Sequence, residues 1–340
     1  MFLESISTAV PPHRYSQPEC LAALKETPAY ATLKPRSQVL MDKILGNGVS
    51  GIATRSFCLP EIAPVVGRNA QELNESFERE APLLAAAALV PALEKAGISA
   101  ADLDALFVCT CTGYLCPGVT SHVAEKLGLR ETAYLQDLVG LGCGAAIPML
   151  RSAAGFLAAH PGAKVATVAV EVCSAAFFVD DDPGVLISLC LFGDGAAAAV
   201  WSDAPGEGKW QAGHFTTVHK PEQREKIRFV NAGGKLRNQL DKAVPGLAAK
   251  AVAELYAQRQ AEPDRILTHS GGRDVIDALE DVLPQTLAET REVLREHGNM
   301  SSPSVLFALD RALASANGDR RMWLTAFGAG FAAHACEVWR

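Results

Sequence analysis

Apolar runs alternate with alanine-rich stretches of helical spacing along most of the chain. Three runs of mostly apolar residues predict buried strands at 105–113, 164–173 and 195–201. The intervening segments repeat apolar residues every three or four positions and predict helices over 81–97 and 145–160. This alternation predicts an α/β fold in which helices cover a mixed sheet.

The second part of the chain repeats the same rhythm without a linker-like segment. Its pattern predicts a strand at 265–272, a closing pair of strands around the glycine turn at 328–330, and helices near 246–260, 273–283, 284–297 and 303–316. Residues 208–240 are more polar and alternate, which predicts surface strands or a cap. We therefore expect two similar halves, residues 1–205 and 206–340.

Composition and charge narrow the class of protein. The 340 residues are 49% hydrophobic and 20% charged, with a net charge of −7, as in ordinary globular proteins. The acidic balance argues against a nucleic-acid partner. Apolar runs such as GVLISLCLFG are too short to span a membrane, and the first residues lack the pattern of a signal peptide. We expect a cytoplasmic protein with no membrane partner.

The nine cysteines lie mostly within apolar segments, which is typical of reduced thiols in the cytoplasm. The cluster CTCTGYLC, with Cys109, Cys111 and Cys116, has the ligand density of a metal site. Cys109 and Cys111 fall on one face of the predicted strand, however, and no second ligand pair follows at zinc-site spacing. We predict no metal site there.

Cys143 lies between Gly142 and Gly144, directly ahead of the predicted helix 145–160. The glycines predict a sharp turn on which a substrate can approach the backbone closely. A position at a helix N-terminus favours the thiolate, which is the nucleophilic form. These features indicate covalent acyl transfer, whereas a small buried hydrophobic role is the alternative.

Three downstream clusters supply candidate partners for this sulfur. His269 ends an apolar strand and precedes Ser270 and two glycines, and Asn299 opens the small-residue turn GNMSSP. The third cluster is the glycine turn FGAG. Loop-edge positions of this kind can converge on one site. Taken singly, each residue is also compatible with a structural role. His269 would be a strand-end histidine that bonds to the backbone, and Asn299 an asparagine that suits the geometry of the turn.

In their order along the chain, these segments resemble type III polyketide synthases, the chalcone-synthase-like branch of the thiolase superfamily. The resemblance rests on CTCTGYLCPG, the Cys143 turn, LFGDGAAAAV, THSGGRDVIDALE, GNMSSPSVLF and FGAGF. It implies a five-layered αβαβα thiolase-like fold made of two similar halves, and a homodimer. It also implies a catalytic triad of Cys143, His269 and Asn299.

The same resemblance implies the chemistry. Cys143 and His269 would form a thiolate–imidazolium pair, and the thiolate would accept an acyl group from acyl-CoA. Malonyl-CoA would then lose CO2, while His269 and the side-chain amide of Asn299 stabilise the enolate. The enolate carbon would attack the Cys143 thioester and extend the chain, with cyclisation as a possible later step. No cofactor is implied beyond the CoA substrates.

Further site residues follow from matching positions in the family. Cavity-lining positions match Cys111, Cys116, Gly271 and Ser301, and Cys116 matches a residue that reaches into the neighbouring subunit's cavity. Two gate positions match Phe177 or Phe178 and, as a polar departure, Asn238. Lys43 and Arg55, the only basic residues from 38 to 67, are the candidates for holding CoA phosphates. Ser270 and Ala329 stand where the family has proline.

Three alternatives remain open at this point. A β-ketoacyl-ACP synthase III-like enzyme shares the fold and triad but takes malonyl-ACP; its histidine is followed by a Gln-Ala-Asn-type segment, not Ser-Gly-Gly. An HMG-CoA synthase needs a separate catalytic glutamate, for which Glu171 is the candidate, although its place on a strand favours a structural role. A third alternative is a non-extending acyl-binding homologue.

Overall fold

The computed structural model describes residues 1–340, with thirteen strands and twelve α-helices. The strands are β1 (Phe2–Ala9), β2 (His13–Ser16), β3 (Thr54–Phe57), β4 (Ala105–Cys109), β5 (Tyr134–Leu138), β6 (Lys164–Glu171), β7 (Gly195–Ser202), β8 (Gln211–His219), β9 (Ile227–Ala232), β10 (Lys235–Leu240), β11 (Arg265–Thr268), β12 (Arg321–Gly328) and β13 (Ala332–Trp339). The helices are α1 (Gln17–Lys25), α2 (Pro28–Ala31), α3 (Pro35–Gly46), α4 (Ile62–Val66), α5 (Ala70–Ala96), α6 (Val119–Leu127), α7 (Ala146–Ala159), α8 (Pro183–Leu191), α9 (Val244–Tyr256), α10 (Arg273–Glu280), α11 (Ala288–His297) and α12 (Ser304–Ala314).

Nine strands form one mixed sheet in the order β11-β12-β13-β8-β1-β7-β6-β4-β5. Strands β1 and β8 pair only at Phe2 and Gln211, so the sheet divides there into two segments. One segment uses strands that end by Ser202, and the other uses strands that begin at Gln211. Strands β9 and β10 form a separate hairpin.

Five layers follow from the way the helices cover these two segments. Helix α5 packs on the outer face of β4, β6 and β7, while α9 and α10 pack on the outer face of β11 to β13. Helices α7 and α12 share one core with strands of both segments and lie between them. The order is therefore αβαβα, which confirms the predicted fold class.

Helix α5 is much longer than the sequence pattern predicts. It begins at Ala70, not at 81, because Asn69 and Glu72 form a reciprocal capping box at its N-terminus. Two prolines, Pro82 and Pro91, lie inside the helix. A proline removes one backbone donor and usually marks a boundary, which explains the late predicted start.

The polar stretch 208–240 contributes to two different sheets. Strand β8 pairs along β13 and belongs to the central sheet, so this part of the stretch is not the surface strand or cap that the sequence pattern predicts. Strands β9 and β10 form the predicted surface element, with Asn238 opposite Phe229 across the hairpin. Both of these residues border a cavity, so the hairpin forms part of its wall.

Candidate active site

Cys143 lies on a short 3-10 turn, Gly142–Gly144, that precedes α7. Gly142 has a φ of +59°, a left-handed conformation that suits glycine. The opposite wall of the turn is the glycine loop after β12, where a Cβ on Gly328 would lie 2.9 Å from the Cys143 nitrogen and 2.8 Å from the Gly144 nitrogen. Two backbone segments from distant parts of the chain thus meet at the turn that carries Cys143, and only glycine permits that approach.

His269 follows the last residue of β11. Its backbone nitrogen donates to the Thr325 carbonyl of β12 at 2.9 Å, and its ring meets Phe327 edge-on at 5.4 Å between centroids. The ring is buried, and its Nδ1 has no hydrogen-bond partner. The hydroxyl of Ser270, the residue that replaces the family's proline, is likewise buried without a partner. The histidine is therefore oriented by packing and by its backbone.

Asn299 is fixed through both its backbone and its side chain. Its nitrogen donates to the Leu191 carbonyl at 2.9 Å, and its carbonyl accepts from the Gly193 nitrogen at 3.0 Å. The side-chain Oδ1 accepts from the Ser301 nitrogen at 2.8 Å, and Nδ2 donates to the Gly271 carbonyl at 3.1 Å. One N–H of the amide group remains free to donate.

Ser301 is the residue at which the three candidate catalytic residues meet. Besides its bond to Asn299, its hydroxyl lies 3.2 Å from the sulfur of Cys143. The Ser301 backbone also acts to raise the pKa of His269, against the effect of burial, so it lies beside the imidazole. Ser301 has a φ of +60°, which is uncommon for a residue other than glycine. The structure therefore brings Cys143, His269 and Asn299 together around one strained serine.

Burial controls the ionisation of the candidate nucleophile and its partner. It raises the pKa of Cys143 to about 12, although the hydrogen bond from Ser301 acts in the opposite direction. Burial also lowers the pKa of His269 to about 4. Burial thus opposes the predicted thiolate–imidazolium pair at both of its members. Loss of water around the sulfur outweighs the effect of the helix N-terminus.

Glu171 organises the floor of this site and was not predicted as part of it. Its Oε2 accepts four hydrogen bonds, from the nitrogens of Cys111 and Thr112 and from the hydroxyls of Thr110 and Thr112. Its Oε1 accepts from the Ser302 hydroxyl at 2.6 Å. The carboxylate therefore ties the end of β4 to the turn that carries Ser301, which is a structural role. This agrees with the structural role that its strand position favoured, although the partners themselves are far apart in the chain.

A mostly apolar cavity adjoins the site and contains four of the predicted substrate-binding residues. Phe177, Phe178 and Asn238 line it together with Cys111. The sulfur of Cys111 lies 3.1 Å from the Ser301 hydroxyl, so the cavity begins one side chain away from Cys143. Cys116 does not line it and is exposed on the surface.

The two predicted CoA-binding residues lie in contrasting environments. Lys43 is exposed on α3. Arg55 is only 1% exposed, and its guanidinium donates to Gln17 Oε1 at 2.9 Å and to the carbonyls of Leu189 and Phe192 at 2.7 Å. The assignment of Arg55 to CoA is therefore wrong. This cation satisfies buried carbonyls and cannot reach a phosphate in solvent.

The chain contains neither a metal-ligand cluster nor a membrane-spanning helix. No group of three or more histidine, cysteine, aspartate and glutamate side chains is arranged to hold a metal ion. None of the helices combines the length and apolar character that crossing a membrane requires.

Comparison with known proteins places the chain among characterised enzymes. Residues 11–254 match the family model for FAE1/type III polyketide synthase-like proteins, and residues 257–339 match that for the C-terminal part of 3-oxoacyl-[acyl-carrier-protein] synthase III. A 3,5-dihydroxyphenylacetyl-CoA synthase of Streptomyces toyocaensis is 32% identical, over 91% of this chain and 81% of that protein. A 1,3,6,8-tetrahydroxynaphthalene synthase of Streptomyces peucetius subsp. caesius is 30% identical, over 97% and 90% respectively. The crystal structure of the Streptomyces coelicolor 1,3,6,8-tetrahydroxynaphthalene synthase superposes with a TM-score of 0.88 at 28% identity, covering 100% of this chain and 99% of that one.

Proposed function

Since the chain belongs to the type III polyketide synthase family, whose members are decarboxylating condensing acyltransferases, we propose that Cys143, His269 and Asn299 carry this reaction. The proposal rests on one observation above all: the three side chains converge on Ser301 from three distant parts of the chain. The first half, residues 1–205, supplies the nucleophile. The second half, residues 206–340, supplies His269 and Asn299.

In the loading step, the Cys143 thiol attacks the carbonyl of an acyl-CoA thioester. Because burial disfavours both the thiolate and the imidazolium, the proton leaves the sulfur as the new bond forms, and His269 accepts it. The imidazolium then returns a proton to the departing CoA sulfur. The acyl group remains on Cys143 as a thioester.

In the extension step, malonyl-CoA loses CO2 and negative charge develops on its thioester oxygen. Asn299 is held so that one Nδ2–H is free beside Gly271, since its other polar contacts go to Ser301 and the Gly271 carbonyl. A Cβ on Gly271 would lie 3.4 Å from His269 Nε2, so the imidazole borders the same residue. Two donors at one place favour an enolate over its neutral precursor.

The enolate carbon then attacks the Cys143 thioester and produces a β-keto chain two carbons longer. The cavity bordered by Cys111, Phe177, Phe178 and Asn238 would receive that chain. Its walls are largely apolar, which favours a chain over bulk water. CoA thioesters are the substrates, and the residues present require no further cofactor for these steps.

Lys43 would assist the capture of CoA from solvent. It is exposed on α3, and it is the basic side chain of the 38–67 segment that is not already engaged by buried carbonyls. An exposed ammonium attracts a phosphate as a point charge.

A homodimer is the proposed assembly. Strand β5 is the edge of the nine-stranded sheet, and it exposes Tyr134 and Leu135, followed by Val139. An edge strand with apolar side chains is suited to pairing with a second copy. The exposed Cys116 would then approach the partner's cavity. Size-exclusion chromatography with light scattering tests this, and a monomeric wild type that also stays monomeric at high concentration rules it out.

Malonyl-CoA decarboxylation and intact-protein mass spectrometry test the function directly. Wild type should release CO2 and acquire an acyl adduct on Cys143, whereas Cys143→Ala should acquire none. Asn299→Ala should still be acylated but should release CO2 about 100- to 1,000-fold more slowly, because one oxyanion donor is lost. Malonyl-ACP serves as a parallel substrate. Turnover with malonyl-ACP alone favours the carrier-protein-dependent alternative, and adduct without CO2 release favours the non-extending one.

A further inference from the structure

Asn238 is an unusual member of the cavity because it brings an amide group to a wall of aromatic and aliphatic side chains. Its apolar neighbours in the lining include Phe177, Phe178, Phe229 and Leu236. The residue is only 6% exposed, so its polar atoms are largely removed from water. A buried amide group of this kind needs partners for both of its ends.

The orientation of this amide group follows from its neighbour Ser188. Asn238 contacts the Ser188 Oγ at 2.7 Å, and that Oγ also lies 2.7 Å from the Gly184 carbonyl, one helical turn earlier in α8. A carbonyl can only accept, so the single hydroxyl proton goes to Gly184. The serine oxygen must then accept from Asn238, which requires Nδ2 on that side.

Oδ1 of Asn238 is consequently the end that points away from Ser188. No hydrogen-bond donor of the protein reaches Oδ1. This atom is also not one of the unpaired polar atoms that are fully buried from solvent. It therefore retains some solvent access, and the cavity is the open space that Asn238 lines. The cavity thus presents one hydrogen-bond acceptor among apolar walls.

The surrounding contacts hold this acceptor in place. Across the hairpin Asn238 lies opposite Phe229, and a Cβ on Gly184 would lie 2.4 Å from the Asn238 carbonyl, so α8 packs directly on its backbone. The adjacent Arg237 pairs with Asp180 at 2.6 Å and links the hairpin to the loop that carries Phe177 and Phe178. A fixed acceptor is preorganised for recognition.

We propose that Asn238 is a specificity-determining residue that accepts a hydrogen bond from a hydroxyl group on the bound acyl chain, so that the enzyme selects hydroxyl-bearing acyl-CoA starters. This inference rests on the proposed function and adds a substrate class to it. A hydroxylated chain pairs with Oδ1. A chain that ends in a methyl group, or in a carbonyl that is itself an acceptor, displaces water and leaves Oδ1 unpaired.

The test uses three matched series of acyl-CoAs of increasing length, whose distal ends are a methyl group, a hydroxyl group or a ketone. Acylation of Cys143 is followed by mass spectrometry, and kcat/KM is measured with malonyl-CoA. At the length that reaches Asn238, wild type should prefer the hydroxylated member over both others by about tenfold. Asn238→Leu, which has a similar shape and no acceptor, should reduce that ratio to about one or invert it.

Two further variants keep the test decisive if Asn238→Leu folds poorly. Ser188→Ala removes the acceptor that fixes the amide group of Asn238, which can then turn Nδ2 toward the cavity. The kcat/KM of the ketone series should then rise relative to its value in the wild-type enzyme. Leu236→Val alters the size of the same cavity at a residue that pairs with Asn231 and not with Asn238. It should change rates across all series and leave the hydroxyl-to-methyl ratio near the wild-type value.

The possible failures are distinguishable. If wild type acylates Cys143 and turns over all three series with equal kcat/KM at every length, the proposed function stands and the role of Asn238 is refuted. That role is also refuted if Asn238→Leu keeps the wild-type ratio. If no member of any series acylates Cys143, the proposed function itself fails.

Discussion

Ser301 Oγ lies between two sulfurs, 3.2 Å from Cys143 and 3.1 Å from Cys111. A hydroxyl has one proton, and the geometry directs that of Ser301 to the sulfur of Cys143. The Cys111 thiol then donates to Ser301. A chain of two hydrogen bonds thus runs from the cavity wall to the candidate nucleophile.

Replacing Ser301 separates its hydrogen bond from its strained backbone. Ser301→Ala and Ser301→Gly both remove the donor, so the pKa of Cys143 should rise further and alkylation by iodoacetamide at pH 8 should slow several-fold, by about 2- to 10-fold. Only glycine suits the φ of +60°, so Ser301→Gly should be the more stable of the two by about 1 kcal/mol. Equal alkylation rates in wild type and both variants would contradict the proposed hydrogen bond.

Glu171→Gln should move the reactivity of Cys143 in the opposite direction. The negative charge of Glu171 raises the pKa of Cys143, so its removal should accelerate alkylation. The side-chain NH2 group of a glutamine would also face at least one of the hydrogen-bond donors that surround Glu171. This donor–donor contact should lower the free energy of unfolding by about 1–3 kcal/mol. Ser302→Ala is the control, because it removes one hydrogen bond and leaves the charge. Slower alkylation in Glu171→Gln would count against this electrostatic account.

Gly328→Ala tests the close approach of the glycine loop to the nucleophile turn. The added Cβ would meet the nitrogens of Cys143 and Gly144 at 2.9 and 2.8 Å, and backbone atoms cannot rotate away. We expect a loss of about 1–3 kcal/mol in stability and impaired acylation. Gly155→Ala in α7 is the matched control: its Cβ meets nothing within 4 Å, and it should stabilise by about 0.5–1 kcal/mol. Acylation of Cys143 in Gly328→Ala at the wild-type rate would contradict this prediction.

Arg55 and Lys43 should respond to substitution in different assays. Arg55→Lys cannot satisfy Gln17 and two carbonyls at once, so the free energy of unfolding should fall by about 2–4 kcal/mol while KM for acyl-CoA in the folded fraction stays constant. Lys43→Ala should leave stability unchanged and raise KM for acyl-CoA by about two- to fivefold. A higher KM in Arg55→Lys would restore this arginine to the CoA site.

Acid should destabilise the protein first through its buried histidines. Burial lowers the pKa of His269, His297 and His334 each to about 4, below the ordinary 6.5. Between those values the unfolded chain binds more protons, so stability is complete above pH 6.5 and falls as pH decreases toward 4, by up to about 1.4 kcal/mol per pH unit for each histidine. Asp194 opposes this, because burial raises its pKa to about 6 and the folded state gains a proton there.

Urea unfolding at pH 7.5, 6.5, 5.5 and 5.0 measures this slope. His334→Asn and His297→Asn each remove one contribution and should flatten the dependence between pH 6.5 and 5. Carboxylates with a lowered pKa, such as Glu280, change the stability only below their ordinary pKa of 4.5, which lies outside this pH range. Unchanged slopes in both variants would show that these rings titrate normally in the folded state.

Much of the site was predictable because its residues mark sharp local changes in the sequence. Cys143 stands between two glycines ahead of a helical pattern, His269 ends an apolar strand, and Asn299 opens a small-residue turn. Each signal is local, so the order of motifs along the chain sufficed to associate them. The α/β class was predictable because strands and helices alternate with clear periodicity, whereas the five-layered order was implied by the family resemblance.

Other features depend on contacts that no local pattern reveals. Arg55 looks like a surface cation in the sequence, yet the carbonyls it satisfies belong to residues more than 130 positions away. The burial that raises the pKa of Cys143 was not predictable, because helix position is a local property whereas burial is set by the whole fold. The strand position of Glu171 favoured a structural role, but its partners could not be predicted because they lie on two separate segments.

The place of β12 and β13 in the sheet has a consequence for when activity can arise during synthesis. Strand β11, which leads to His269, pairs only with β12, and β12 is joined to the rest of the sheet through β13 and β8. A nascent chain that has not yet released residues 321–339 from the ribosome therefore has a cysteine turn without its glycine wall and a histidine without an anchored strand. The proposed thioester chemistry therefore requires that residues 321–339 have paired with the rest of the sheet.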